Sequence, residues 1–143
     1  MAFNMQLLDD AIDWAESQQA PGGDGLWNQG LWAGKTECGT ACCIAGRIAL
    51  STGHAFDDIY FDAQPAAELE LGADVLSDLG RVALSLMFSP ENDLLALKQY
   101  RDYIAAKLGL PPRFGGGNLD LERIEDDAID RFDNRYDNEE EMV

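Results

Sequence analysis

The chain has 143 residues, 46% of them hydrophobic, with 27 aspartates and glutamates against 10 lysines and arginines and a net charge of −17. That length suits one domain able to bury a core without disulfide or metal staples, and the apolar content excludes a wholly disordered chain. The charge argues against direct binding to nucleic acid or an anionic membrane and favours basic partners.

No apolar run approaches the roughly 20 residues of a membrane span. The opening "MAFNMQLLDD" lacks the basic segment of a signal peptide. Three cysteines, two of them adjacent, do not make a disulfide framework, so a reducing, cytoplasmic compartment is expected.

In chain order, residues 4–19 predict a helix. Leu8, Ala11, Ile12 and Ala15 share one face, Leu7 and Trp14 widen it, and Asn4 is placed to cap it. "APGGDG" breaks it. A glycine-rich loop follows to about Gly39 and carries Trp27 and Trp32, which predict a loop pinned on the core. A second helix is expected over 40–52, with Thr40 as N-cap and Gly53 beyond its end. Ala41, Cys42, Cys43, Ile44, Ala45, Ile48, Ala49 and Leu50 cover nearly all of its sides, the pattern of a central buried helix. Gly46 there predicts close approach of a neighbour.

"HAFDDIYFD" reads as a short extended piece. Pro65 suits the first turn of a helix over 66–71, ended by Gly72. Asp74 is expected to open the next helix, through Met87, with Gly80 as its weak point. Asp93 caps a helix carrying Leu94, Leu97, Tyr100, Ile104 and Leu108. "RFGGGN" reads as a linker. Beyond it, Leu121, Ile124, Ala128 and Phe132 predict an amphipathic helix in a segment holding 11 acids and three arginines, nearly half of the net charge. These signals divide the chain into a helical domain (1–112), a Gly-rich linker (113–118), an acidic amphipathic helix (119–136) and a disordered acidic tail (137–143). The fold expected is all-α, a single-domain bundle of five or six helices with a central buried helix and a long Trp-containing loop.

"CGTACCIAG", with its Trp27 loop upstream, resembles a group of small uncharacterised proteins of actinobacteriophages. They share a Trp-containing loop followed by a C-G-T-x-x-C-x-A-G motif that opens a helix. Here the motif is Cys38, Gly39, Thr40, Cys43, Ala45 and Gly46, with Cys42 inside it. "AAELELG" and "LMFSPENDL" echo two further turns of the group, and the resemblance spans about residues 5–108. Arg47 stands where those proteins often carry a bulky aromatic residue or histidine. The resemblance implies a phage-encoded, α-helical accessory protein acting inside an infected bacterial host, and it names no catalytic residue.

The residues themselves argue against catalysis and cofactors. Cys38, Cys42, Cys43 and His54 are zinc-binding types, but their spacing fits no usual site. Cys42 falls where a papain-like nucleophile would sit. On a straight helix His54, the only histidine, would lie about 18 Å away at roughly 1.5 Å per residue. "QGLWAGKT" is one residue short of a phosphate loop, with Gln29 in the first-glycine position. "DRFDNRYDNEEE" lacks the core of a calcium loop. No enzyme activity, metal or cofactor is therefore expected.

The expected function is binding to, and antagonism of, a basic, nucleic-acid-binding host or defence protein. Asp120, Glu122, Glu125, Asp126, Asp127, Asp130 and Asp133 are the expected contact residues. The alternatives are a small-molecule binding module built on the Trp27/Trp32 loop, or a virion structural component.

Overall fold

A computed structural model describes residues 3–29, 33–36, 39–60, 62–74, 76–89, 92–114 and 120–141, with Phe88 and residues 132–141 described by backbone alone. Among the described residues there are seven helices and one two-stranded hairpin. The chain is thus mostly helical, and none of these helices is long and apolar enough to cross a membrane.

Helix α1 (Met5–Gln19) buries Leu8, Ala11, Ile12 and Ala15, the face its spacing predicts, and the Asn4 side chain accepts from Leu7 N at its start. The next regular structure differs from expectation. Strands β1 (Gly34–Thr36) and β2 (Gly39–Ala41) pair antiparallel, Lys35 opposite Thr40. Thr40 is therefore held in extended backbone and cannot cap a helix. Helix α2 (Ile44–Ser51) begins four residues later, capped by Cys43, whose Sγ accepts from Gly46 N at 3.5 Å. Alternation was too brief over three-residue strands to reveal the hairpin in the sequence.

Ile44, Ala45, Gly46, Ile48 and Ala49 of α2 are buried. This helix packs against α1, α3 (Phe56–Ile59), α4 (Gln64–Leu71) and α5 (Asp78–Phe88). The stretch expected to be extended is thus a single helical turn, α3. Its Phe56 and Tyr60 rings stack at 5.8 Å, with the Lys35 ammonium 4.8 Å from the Phe56 centroid. Helix α4 carries its proline in the first turn and ends on Gly72 at φ 78. Arg47 lies over the Trp14 ring, 5.1 Å from its centroid.

Asp74 does not open α5. It forms a turn that Ser77 closes, and Ser77 caps the helix by accepting from Gly80 N. A Cβ at Gly80 would overlap the Asp74 carbonyl, so the glycine marks the place where this turn seats on the helix. Helix α6 (Leu94–Lys107) starts on Asp93, whose carboxylate accepts from Ala96 N at 2.8 Å.

One stretch of α6 is buried beyond what its apolar period predicts. Arg101 makes two bonds to the Asp9 carboxylate, at 2.8 and 3.1 Å, and a third to Asp102. Asp102, 2% exposed, also accepts from the backbone N–H groups of Arg113 and Phe114. Arg113 bonds Asp13 in turn. This network staples the chain after α6 to α1. Its bonds to Asp9, opposed by burial, hold the Arg101 guanidinium above its ordinary pKa. Residues 113–114, expected to open a free linker, are therefore fixed, while 115–118 lie outside the described residues.

Candidate interaction surface

The acidic segment forms helix α7 (Leu121–Glu141), which packs against α5 and α6. Its backbone stays helical through Glu141, past residue 137, where a disordered tail was expected. Asp120 opens it, its carboxylate accepting from Arg123 N at 3.1 Å. Ile124 is 5% exposed and Ala128 fully buried, while Leu121 and Ile129 are partly buried against the core.

Two polar ties accompany this apolar seam. The Arg131 guanidinium donates to Asn92 Oδ1 at 2.6 Å. The Tyr103 hydroxyl donates to Glu125, whose carboxylate also lies 3.8 Å from Lys107 Nζ. Burial, then the bond to Glu125 and its charge, push the Tyr103 phenol above its ordinary pKa.

The expected contact residues separate accordingly. Asp120, Glu122, Asp126, Asp127 and Asp130 are exposed. Glu125 is not part of the outer face, because it turns toward Tyr103 and Lys107. Asp133 lies on α7 where only the backbone is described. Residues 122, 126 and 130 are one helical turn apart, about 6 Å in rise. The five exposed acids span about 15 Å of helix axis. At about 3.6 residues per turn they spread over nearly half of the helix circumference, so the single row of Glu122, Asp126 and Asp130 carries one charge per about 6 Å, sparser than the ~3.4 Å per charge of one DNA strand. Exposed Arg123 offsets one of them.

The cysteine motif is placed quite differently. Cys42 N donates to Leu26 O and Asn28 N to Cys42 O, so the Trp27 segment runs alongside the entry to α2. Trp27 Nε1 donates to Gln29 Oε1 at 2.9 Å. The same oxygen accepts from Ile44 N, and Gln29 Nε2 donates to Leu86 O. Gln29 is buried, and the phosphate-loop register it suggested is replaced by this structural bond set. Asn92 Nδ2 donates to Ser85 O and Leu86 O. A continuous run of bonds therefore leads from Trp27 through Gln29, Leu86 and Asn92 to Arg131 on α7.

Cys42 and Cys43 are buried free thiols. Burial pushes Cys42 up to about 12 and Cys43 up to about 11, far from the thiolate that nucleophilic or metal chemistry needs. His54 Nε2 lies 3.2 Å from Glu70. Among the described residues no three of His, Cys, Asp or Glu gather as a metal site. Gly39 sits in β2 at φ 137, and Gly46 is buried in α2. Trp32 and Cys38 lie outside the described residues. Gln29 and Asn92 were not anticipated as buried anchors. A lone polar residue in a loop has no periodic signature, although Asn92 is the asparagine of the "LMFSPENDL" echo.

Compared with protein-family models, with curated proteins and with solved structures, the chain matches none of them.

Proposed function

We propose that this chain is a phage-type accessory protein that binds, and thereby antagonises, a basic nucleic-acid-binding protein of a bacterial host. The observation that carries the reading is the exposed acidic row of α7, on a helix fixed by Ile124, Ala128 and the bonds to Tyr103 and Asn92. A row on a docked helix keeps its spacing, so a groove built for phosphates meets fixed negative charge without first ordering a flexible tail. In this reading α2 is the central helix, and the Trp27 segment supports it rather than binding a ligand. Trp27, half-buried and already bonded to Gln29, supports that assignment.

Truncating the acidic segment would strip the cover from α5 and α6, so charge neutralisation is the cleaner test. Immobilised protein is challenged with bacterial lysate, alongside the triple variant Glu122→Gln, Asp126→Asn, Asp130→Asn. The proposal expects nucleic-acid-binding proteins to be retained by the native chain, released by about 0.5 M salt as the screening length falls to roughly 4 Å, and lost from the variant. Equal retention by both chains overturns it.

A further inference from the structure

Helix α5 ends where its own backbone can no longer satisfy it. The Leu86 carbonyl lies in the last turn, and the donor a continuing helix would offer it is residue 90, a proline without an N–H. Two side-chain amides supply the missing donors. Gln29 Nε2 donates to Leu86 O at 2.9 Å, and Asn92 Nδ2 donates to Leu86 O at 3.2 Å and to Ser85 O at 2.7 Å. Leu86 is fully buried, and Gln29 and Asn92 are 8% and 5% exposed.

Both amides are locked in one orientation. Gln29 Oε1 accepts from Trp27 Nε1 at 2.9 Å and from Ile44 N at 3.3 Å. Ile44 is the first residue of α2, so its N–H has no acceptor within its own helix. Asn92 Oδ1 accepts from the Arg131 guanidinium at 2.6 Å. Turning either amide over would set its NH₂ against donors and its oxygen against carbonyls. Asn92 therefore depends on a cation of α7 to keep its Nδ2 on α5. Without Arg131, Asn92 Oδ1 is a buried acceptor with no donor among the described residues, which costs more than a bond lost at the surface.

We infer that these two amides make the docking of α7 and the seating of the Trp27 segment on α2 one cooperative event. Arg131 holds Asn92, Asn92 and Gln29 share the Leu86 carbonyl, and Gln29 holds Trp27 and the first N–H of α2. Members of one buried hydrogen-bond network couple, whereas distant residues with no shared partner act additively. The coupling is independent of what α7 binds, and it is reciprocal. A ligand that prefers docked α7 tightens the Trp27 segment, and one that releases α7 loosens it.

Hydrogen exchange in the full ¹⁵N-labelled chain tests it. The probes are the Trp27 Nε1–H and the Ile44 N–H, both bonded to Gln29. Ala67 and Leu71 of α4, a helix outside the amide run, are the reference. Arg131→Met removes the guanidinium and keeps most of the stem. It is expected to accelerate both probes about three- to thirtyfold, together with the α7 amides, at unchanged Ala67 and Leu71 rates. In the reverse direction, Gln29→Met should accelerate the Ile124 and Ala128 amides by at least about threefold. Trp27→Phe, which keeps a ring and loses only the indole donor, serves if Gln29→Met does not fold and should act in the same sense. Acceleration of α7 alone in Arg131→Met overturns the inference, because α7 then docks independently. So does equal acceleration of Ala67 and Leu71, which marks global destabilisation, and so does no change at either probe.

Discussion

Ile124→Ala is the sharpest probe of whether α7 belongs to the fold. The native side chain is 5% exposed at the seam with α5 and α6. Truncation removes three carbons, and at about 0.8 kcal/mol each the lost transfer energy is about 2.4 kcal/mol. A residual cavity adds to this, although an outer helix can settle inward, so a total of about 2.5–4 kcal/mol is expected. That loss falls on the docking of α7 before it falls on global unfolding. Amide exchange of residues 121–131 should therefore accelerate roughly 70- to 900-fold at about 1.4 kcal/mol per decade, up to the limit set by the docking free energy itself. Asp126→Ala, on the exposed face, should change stability by about 0.5 kcal/mol or less. The reasoning fails if the two variants behave alike, or if the α7 amides of the native chain exchange at unprotected rates.

Three further outcomes are expected. Asp102→Ala should cost about 2–4 kcal/mol in urea unfolding, because it leaves two backbone N–H groups without an acceptor while Arg101 keeps its two bonds to Asp9; a loss below about 1 kcal/mol would mean that the staple is dispensable. Gly80→Ala should lower the melting temperature by an amount worth about 1–3 kcal/mol, even though alanine gains about 1 kcal/mol in helix propensity, because its Cβ meets the Asp74 carbonyl; a raised melting temperature would refute that contact. The buried thiols make stability fall in alkali. Their folded pKa values of about 11 and 12 lie above the ordinary 9.0, so the unfolded chain releases protons first as pH rises through 9. Stability is then full below about pH 8 and drops toward pH 11–12, by at most about 2.7 kcal/mol per pH unit for two thiols. Cys42→Ala should halve that thiol-linked slope, and a flat profile from pH 8 to 10 would contradict it.

The helices were legible where period and cap agree. Asn4 with the Leu8–Ala15 face, Pro65 with Gly72, and Asp93 with Leu97, Tyr100 and Ile104 all stand where local chemistry puts them. The errors arose where another partner took the residue that a local signal assigned to a cap. Thr40 is a good N-cap by type, but pairing with Lys35 commits it to a strand. Asp74 is equally suitable, yet its carbonyl is taken by Ser77 and seated against Gly80. Within the candidate surface, helical period separated Ile124 and Ala128 from Glu122, Asp126 and Asp130. It misassigned Glu125, which sits at the edge of the seam, because the pull of Tyr103 and Lys107 comes from another helix. Nothing in the sequence marked Gln29, Asn92 and Asp102 as buried anchors, since a buried polar anchor is defined by carbonyls and N–H groups that only the fold assembles.

The central claim is that the outer face of α7 competes with nucleic acid for a basic protein. Its most direct measurement is displacement of a fluorescent DNA duplex from a lysine-rich, sequence-nonspecific bacterial DNA-binding protein, titrated with the native chain and with the Glu122→Gln, Asp126→Asn, Asp130→Asn variant. The account predicts that the native chain releases the duplex, that the midpoint rises steeply with salt, and that the variant needs at least tenfold more protein. Release by both chains at the same midpoint, or no release by the native chain at low salt, would contradict it.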